Sequence, residues 1–173
     1  TISGTASFNS TSNAITDSGT LAITGATTLN SGSADITLNE AASTFGTLAI
    51  TGTNVAVTEN AAMDLGASTI SGTASFNSSN NAITDSGTLA ITGVTTLNSG
   101  SADLTLDEAA STFGALAITG ANVAVTENAA MDLGASTISG TASFNSTSNA
   151  ITDSGTLAIT GATTLNSGSA DIT

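Results

Sequence analysis

The sequence predicts an all-β fold, a parallel β-helix (β-solenoid) with three short strands in each coil, for which right-handed winding is the default of parallel crossovers. Three observations support this prediction. The chain repeats itself with a 68-residue period, since Thr1 aligns with Thr69 and again with Thr137. Short segments alternate large apolar residues with small or polar ones, and turns rich in Gly, Ser and Asn separate these segments. Tandem units that stack on their neighbours are typical of solenoids.

The repeat defines the domain organisation. Residues 1–68 form a first copy, 69–136 a second copy and 137–173 a partial third copy. The first two copies differ at seven positions, and the third matches residues 1–37 letter for letter. We expect one continuous solenoid excerpted from a longer chain.

Within each copy, the tripeptide Ile-Thr-Gly or Ile-Ser-Gly recurs at steps of 20, 21 and 27 positions. These steps predict that each 68-residue copy contains three unequal coils, with a length of about 20 to 27 positions per coil. We expect the isoleucines to stack in one core ladder, and the apolar residue six positions later to stack in another. The predicted core residues are Ile23, Ile50, Ile70, Ile91, Ile118, Ile138 and Ile159, followed by Leu29, Phe76 and Leu97. Seven or eight coils would form a rod roughly 35 Å long.

The strands are predicted from period-two alternation. Residues 21–23, 36–38 and 55–57 alternate in this way, which indicates half-buried strands. The stretches NEAAS and ENAAMDL contain good helix formers, but they are too short for stable helices, and we interpret them as turns. A β-sandwich of repeated hairpins is the alternative. It needs a tight turn every 8–12 residues, and the observed spacing favours three-strand coils.

The charge composition excludes several partners. The chain has a formal net charge of -13 and contains no Lys, Arg or His. Nucleic acids and anionic membrane surfaces are therefore not expected as partners. No apolar run approaches the roughly 18 residues of a membrane helix, so membrane insertion is not expected. The hydrophobic content of 39% also distinguishes the chain from acidic disordered tails.

Catalysis is not expected, because the chain lacks His, Cys, Lys, Arg and Tyr. These residues supply most general bases, activated nucleophiles and oxyanion-stabilising cations. A carboxylate pair remains as a route to acid–base chemistry. The candidates are Asp107 with Glu108, and Glu59 with Asp64. We interpret all four as solvated turn carboxylates, and we predict no enzymatic activity and no cofactor.

A weak calcium site is the alternative for three aspartates. Alignment of the coils places Asp64, Asp85 and Asp103 near one corner of successive coils. Such a column either extends its carboxylates into solvent or binds a cation, since calcium prefers oxygen ligands. The chain has no EF-hand loop and no Gly-rich calcium-binding nonapeptide. We therefore favour solvated charges.

Two binding functions stay open as alternatives. Thr24, Thr51 and Thr92 follow core isoleucines and should face outward, and a flat threonine array is a feature of ice-binding solenoids. Ser71 and Ser139 interrupt this column, which makes ice binding the weaker alternative. Glycan recognition on the side of the rod is the other alternative. Aromatic platforms usually mark such faces, and the chain has only five Phe.

The phrases LGASTISGTASFNS (65–78), AITDSGTLAITGATTLNSGSADITL (14–38) and STFGTLAITGTNVAVTENAAMDLGAS (43–68) resemble the repeat regions of giant bacterial exoproteins. These are the filamentous-haemagglutinin-like and autotransporter-like adhesins. The resemblance implies a right-handed parallel β-helix, export across the outer membrane, and a stalk or fibre that serves attachment. It thus implies a structural segment on the bacterial cell surface. We expect the segment to self-associate end to end or laterally, and to contact a host or neighbouring cell.

Overall fold

The computed structural model describes all 173 residues, Thr1–Thr173. It contains 21 β-strands and no helix. Every strand pair is parallel, and the strands stack in about eight coils with three strands per coil. The predicted β-solenoid class is confirmed.

In chain order the strands are β1 (Ala6–Asn9), β2 (Ile15–Thr16), β3 (Thr27–Asn30), β4 (Ile36–Leu38), β5 (Thr47–Gly52), β6 (Val55–Thr58), β7 (Met63–Leu65), β8 (Ser68–Ile70), β9 (Ala74–Asn77), β10 (Ile83–Asp85), β11 (Leu89–Ile91), β12 (Thr95–Asn98), β13 (Leu104–Leu106), β14 (Ala115–Gly120), β15 (Val123–Thr126), β16 (Met131–Leu133), β17 (Ser136–Ile138), β18 (Ala142–Asn145), β19 (Ile151–Asp153), β20 (Leu157–Ile159) and β21 (Thr163–Asn166). An 11-stranded sheet, here sheet 1, contains β1, β3, β5, β7, β8, β10, β11, β13, β15, β18 and β21. The other ten strands form sheet 2.

Alternation along the strands builds the core. In β6, Val55 and Val57 are buried while Ala56 and Thr58 face outward. The buried side chains of both sheets form one cluster of 31 residues. Each fully buried Val, Leu, Ile or Phe contributes about 1.5–3 kcal/mol relative to an exposed one. The narrow interior thus supplies the main stabilising term along the whole rod.

The predicted strands at 36–38 and 55–57 are present. The predicted strand at 21–23 forms only isolated bridges in the first copy, whereas its equivalent β11 is a full strand. The stretch NEAAS is not regular structure. Our interpretation of ENAAMDL as a turn is wrong for its last three residues, which form β7 because Met63 and Leu65 point into the core.

The coil is shorter than predicted. Paired residues of successive coils lie 17 to 21 positions apart, as in Thr47 with Asp64 and Thr27 with Leu48. The 27-residue step between Ile23 and Ile50 is therefore not one coil. The two isoleucines lie on different sides of the rod, because Ile50 pairs with Leu29 in sheet 1, whereas Ile159, the equivalent of Ile23 in the third copy, lies on β20 in sheet 2.

Each 68-residue copy spans about three and a half coils rather than three. Thr27 belongs to sheet 1, but its equivalent Thr95 belongs to sheet 2. From Thr27 the chain continues to Ile36 in sheet 2, about half a coil further. It then completes three full coils through Val55 and Ala74 to reach Thr95. Every repeated strand changes sheet in the same way, so consecutive copies are related by a half-turn about the rod axis.

The half-turn also changes the predicted ladders. All ten predicted core residues are buried, except Ile159, which is partly buried and packs against the core. However, these residues do not stack in the two separate ladders that the sequence predicted. Leu29 stacks between Phe8 and Ile50 in sheet 1, whereas Phe76 and Leu97 stack below Ile118 in sheet 2. The columns are continuous, but each contains several residue types.

One corner of the coil requires glycine because two backbones approach closely. A Cβ added to Gly46 would lie 2.5 Å from the carbonyl oxygen of Gly25, and a Cβ on Gly25 would lie 2.6 Å from that of Gly4. Gly52 has another role although it also follows Ile-Thr. It is buried inside β5, where a Cβ would meet the Ser31 hydroxyl at 2.8 Å. The same tripeptide thus occupies two different places in the coil.

Candidate functional site

The sides of the rod carry no cavity. The structure has two openings, of about 380 Å³ and 220 Å³, one at each end where the terminal coils leave the core uncovered. Phe8 and Ile15 line the first, and Leu133 and Ile151 line the second. The candidate sites are therefore surface carboxylates or buried polar groups, not side pockets.

The alignment that placed Asp64, Asp85 and Asp103 at one corner is wrong. Asp64 on β7 pairs with Thr84 in the middle of β10, and Asp85 is the last residue of β10. Asp103 lies just before Leu104, the first residue of the neighbouring strand β13, and is therefore at the opposite end of the strand from Asp85. Each carboxylate binds its own partners. The Asp103 Oδ1 atom accepts from the backbone N–H of Asn122 at 3.0 Å and from its side-chain amide at 2.9 Å.

Asp85 binds two backbone N–H groups in the following loop. Its Oδ1 accepts from Asp107 N at 2.9 Å, and its Oδ2 accepts from Glu108 N at 3.3 Å. Burial raises the pKa of Asp85, and these two hydrogen bonds partly oppose that rise. Asp17 makes the same two bonds to Asn39 and Glu40 in the first copy. This aspartate therefore anchors a loop once per copy.

Asp64 binds two hydroxyl groups, because its Oδ2 accepts from Thr47 Oγ1 at 2.6 Å and from Ser86 Oγ at 3.0 Å. Its Oδ1 is buried and has no hydrogen-bond partner. No group of three acidic side chains converges anywhere in the chain. Calcium binding by these aspartates stays the weaker alternative, and the structure shows no converging ligand set for it.

The outward threonines do not form one array. Thr24, Thr51 and Thr92 are exposed, as predicted. In the sheet, however, Thr51 lies between Asn30 and Thr69, so the three do not stack on one another. The expected column is wrong because Thr24 lies outside the strands of sheet 1, and because the residue that pairs with Thr69 in the next coil is Ala90, two positions before Thr92.

The half-turn occurs in the coil formed by residues 45–68, and by residues 113–136 in the second copy, which we call the transition coil. In this coil, side chains accept hydrogen bonds from backbone N–H groups. There β5 pairs with β7 through Leu48 and with β8 through Thr51. The N–H of Ile50 lies between these two contacts and donates to the Ser68 hydroxyl at 3.0 Å. Ser68 in turn donates to the carbonyl of Gly66 at 2.8 Å. A serine thus replaces the missing backbone carbonyl.

Glu59 has the same function at a second position of the transition coil. Its Oε2 accepts from the backbone N–H of Phe45 at 2.8 Å. The side chain is 0% exposed, and its Oε1 is buried without any hydrogen-bond partner. Burial raises the pKa of Glu59 to about 7, although the bond from Phe45 N–H lowers it in part. Our interpretation of Glu59 as a solvated turn carboxylate is therefore wrong.

The second copy reproduces this arrangement. Glu127 is also 0% exposed, accepts from Phe113 N at 2.9 Å and has an Oε1 atom without a partner. Burial raises its pKa to about 8, again partly opposed by the N–H of the phenylalanine. The sequence alone did not reveal this site, although it contains the signal that each Glu follows a Val-Ala-Val-Thr strand directly.

The sequence of the chain matches one family model along its whole length. The model is described as "Repeats of unknown function (DUF5649)", and it matches residues 1–51, 52–119 and 120–173. The chain belongs to the DUF5649 family. The second match, from 52 to 119, is as long as the 68-residue period read from the sequence. The DUF5649 repeat is therefore the unit that builds three and a half coils here.

No curated protein and no solved structure matches this DUF5649 chain. The structure also contains no helix with the length and apolar character that crossing a membrane requires.

Proposed function

We propose that the chain is a structural segment of an extracellular bacterial surface fibre or adhesin, in which repeated copies set the length of a stalk. The observation that carries this proposal is the continuity of the rod. One core cluster and two parallel sheets run through both complete copies and the partial third copy. A unit that stacks on itself without interruption can be multiplied without changing its contacts.

The surface chemistry supports a spacer. Ten strands of sheet 2 and 11 of sheet 1 present mostly Ala, Ser and Thr outward, and the sides have no cavity. With a net charge of -13, neighbouring rods repel one another at low ionic strength. In this proposal the segment performs no catalysis. It acts through its length and stiffness, and it holds a separate binding region away from the cell.

Self-association is part of the proposal. The first and last strands of sheet 1, β1 and β21, each have one unpaired edge in the 173-residue chain. Unpaired edges of parallel strands readily add further strands. We therefore expect the isolated chain to stack end to end, which analytical ultracentrifugation would detect as a concentration-dependent increase in mass. A monomer at all concentrations would contradict this part of the proposal.

The proposed spacer role is tested with arrays of two, four and eight 68-residue copies. At concentrations below those of end-to-end stacking, we expect electron microscopy to show straight rods whose length increases by about 17 Å per copy, since each copy adds three and a half coils at about 4.8 Å. Compact particles of constant length would refute the spacer. The same arrays can be applied to a glycan array, where specific binding to the repeat itself would favour a recognition module instead.

A further inference from the structure

Glu59 and Glu127 are buried carboxyl groups with one bonded and one unbonded oxygen. In each case Oε2 accepts from a backbone N–H, of Phe45 at 2.8 Å and of Phe113 at 2.9 Å. In each case Oε1 is buried and has no partner. An ionised carboxylate accepts hydrogen bonds with both oxygens, so this environment satisfies only part of its charge.

No positive charge compensates either group. The chain has no Lys, Arg or His, so no ion pair with a basic side chain can form within it. The charged groups on the elements packed against Glu59 are all acidic, namely Glu40 on the preceding coil, Asp64 on its own coil and Asp85 on the following coil. Around Glu127 the corresponding groups are Glu108, Asp132 and Asp153. Within the chain, only a proton can neutralise these carboxylates.

Each buried glutamate is followed in the sequence by residues that are exposed to solvent. Glu59 directly follows the strand β6, and the loop after it contains the exposed residues Asn60 and Ala62. Asn60 N donates to Ser43 O at 2.8 Å, which fixes the loop on the preceding coil. A movement of this short loop would carry the carboxyl group into water and break its bond to Phe45.

We propose that Glu59 and Glu127 are proton-operated joints of the rod. The joint is closed while the carboxyl group is neutral and accepts from the phenylalanine N–H. Ionisation opens it, because the charged side chain turns into solvent with its loop, and Phe45 N–H loses its acceptor. Each transition coil contains one joint, so the number of joints increases with the number of copies. The proposal does not depend on the proposed function as a fibre segment.

The direction of the switch follows from the burial of the groups. Burial raises the pKa of Glu59 to about 7 and that of Glu127 to about 8, from an ordinary value of 4.5. The closed state therefore binds a proton more tightly than the open state. Acidic solution closes the joint, and mildly alkaline solution opens it.

The wild-type chain provides the first test. It contains four glutamates, Glu40, Glu59, Glu108 and Glu127, so labelling with [¹³C]glutamate gives four carboxyl signals in an NMR titration. We expect two signals to titrate about two or more pH units above an ordinary glutamate, in line with strong desolvation. Four signals that titrate together near pH 4.5 would overturn the proposal.

Hydrogen exchange at the joint provides the second test. After correction for intrinsic rates, we expect the exchange of Phe45 and Phe113 amides to increase roughly tenfold or more between pH 5 and pH 8. The double variant E59Q/E127Q should remove this increase, because glutamine does not ionise. The matched control E40Q/E108Q changes two glutamates of the preceding loops and should retain it. Exchange that is independent of pH in the wild type, or an increase that E59Q/E127Q retains, would overturn the proposal.

Discussion

Spin labels on Ser75→Cys and Ser143→Cys test the half-turn between copies. The two serines are one 68-residue period apart and occupy the same place in the repeat. Ser75 is exposed on β9 of sheet 2, and Ser143 is exposed on β18 of sheet 1. Because the chain contains no cysteine, labels attach at these positions only.

The structure gives the expected label distance. Three and a half coils at about 4.8 Å separate the two positions by about 17 Å along the axis, and packed sheets lie about 10 Å apart across it. The distance is therefore at least about 20 Å, and it increases further because the labels point away from each other. With three coils per copy, both labels would lie on one face, about 14 Å apart.

Double electron–electron resonance measures this distance, and a second pair calibrates it. Thr16→Cys and Thr96→Cys share one column of sheet 2 and are four coils apart through Thr37, Ala56 and Ser75. Their expected separation is about 19 Å. The Ser75/Ser143 pair should give the longer distance although it spans fewer coils. A shorter distance than the calibration pair would refute the half-turn.

Three further predictions concern stability. Gly114→Ala should destabilise the rod by about 2–3 kcal/mol, because its Cβ would lie 2.4 Å from the carbonyl oxygen of Gly93. The control Gly19→Ala places its Cβ where no atom lies within 4 Å, so it should have little effect on thermal unfolding. Burial raises the pKa of Glu59 to about 7 and of Glu127 to about 8, so stability is fully present below about pH 4.5 and is lost as the pH rises through 8. The loss should reach about 3 kcal/mol at Glu59 and about 5 kcal/mol at Glu127. The pH dependence of urea unfolding should therefore be smaller in E59Q/E127Q than in the wild type, and an equal pH dependence would contradict this prediction. Calcium and chelator should give the same melting temperature, and a rise with calcium would indicate a site that the geometry does not show.

The fold class was predictable because strand signals and repetition agree. Val55-Ala56-Val57 alternates at period two, and the glycine- and serine-rich turns return at regular intervals. These local signals specify short strands that must stack in parallel, since one coil cannot bury its own apolar face. Burial of the ten predicted core residues follows from the same alternation, and the structure confirms that they face or pack against the core.

The half-turn was not predictable from the recurring tripeptide. Ile23-Thr24-Gly25 ends at a corner, where a Cβ on Gly25 would collide with the Gly4 backbone. Ile50-Thr51-Gly52 lies within the long strand β5. Identical letters thus occupy different places in the coil, and alignment on the tripeptide joins residues that do not stack. The two tripeptides are distinguished only by the register between coils, that is, by the carbonyl group of the neighbouring coil to which each backbone N–H donates.

The buried glutamates were missed for a related reason. Glu59 follows a strand and precedes Asn-Ala-Ala, so its local sequence indicates an exposed turn. Its burial depends on the transition coil, where the 17-residue step from Leu48 to Leu65 shortens the chain path and leaves Phe45 N–H without a backbone acceptor. The requirement for a side-chain acceptor at the Phe45 N–H therefore arises only from the pairing register of the folded coils.

The seven differences between the two complete copies fit this account of the contacts. Six of them lie at positions that are exposed or half-buried, including Ala26, which becomes Val94 at 47% exposure. The seventh replaces Ile36 with Leu104, and both are fully buried. Ile36 stacks between Ile15 and Val55, and Leu104 stacks between Ile83 and Val123, which are the same neighbours on the opposite sheet. The half-turn therefore preserves the surroundings of each core position, and a change of equal volume is accommodated there.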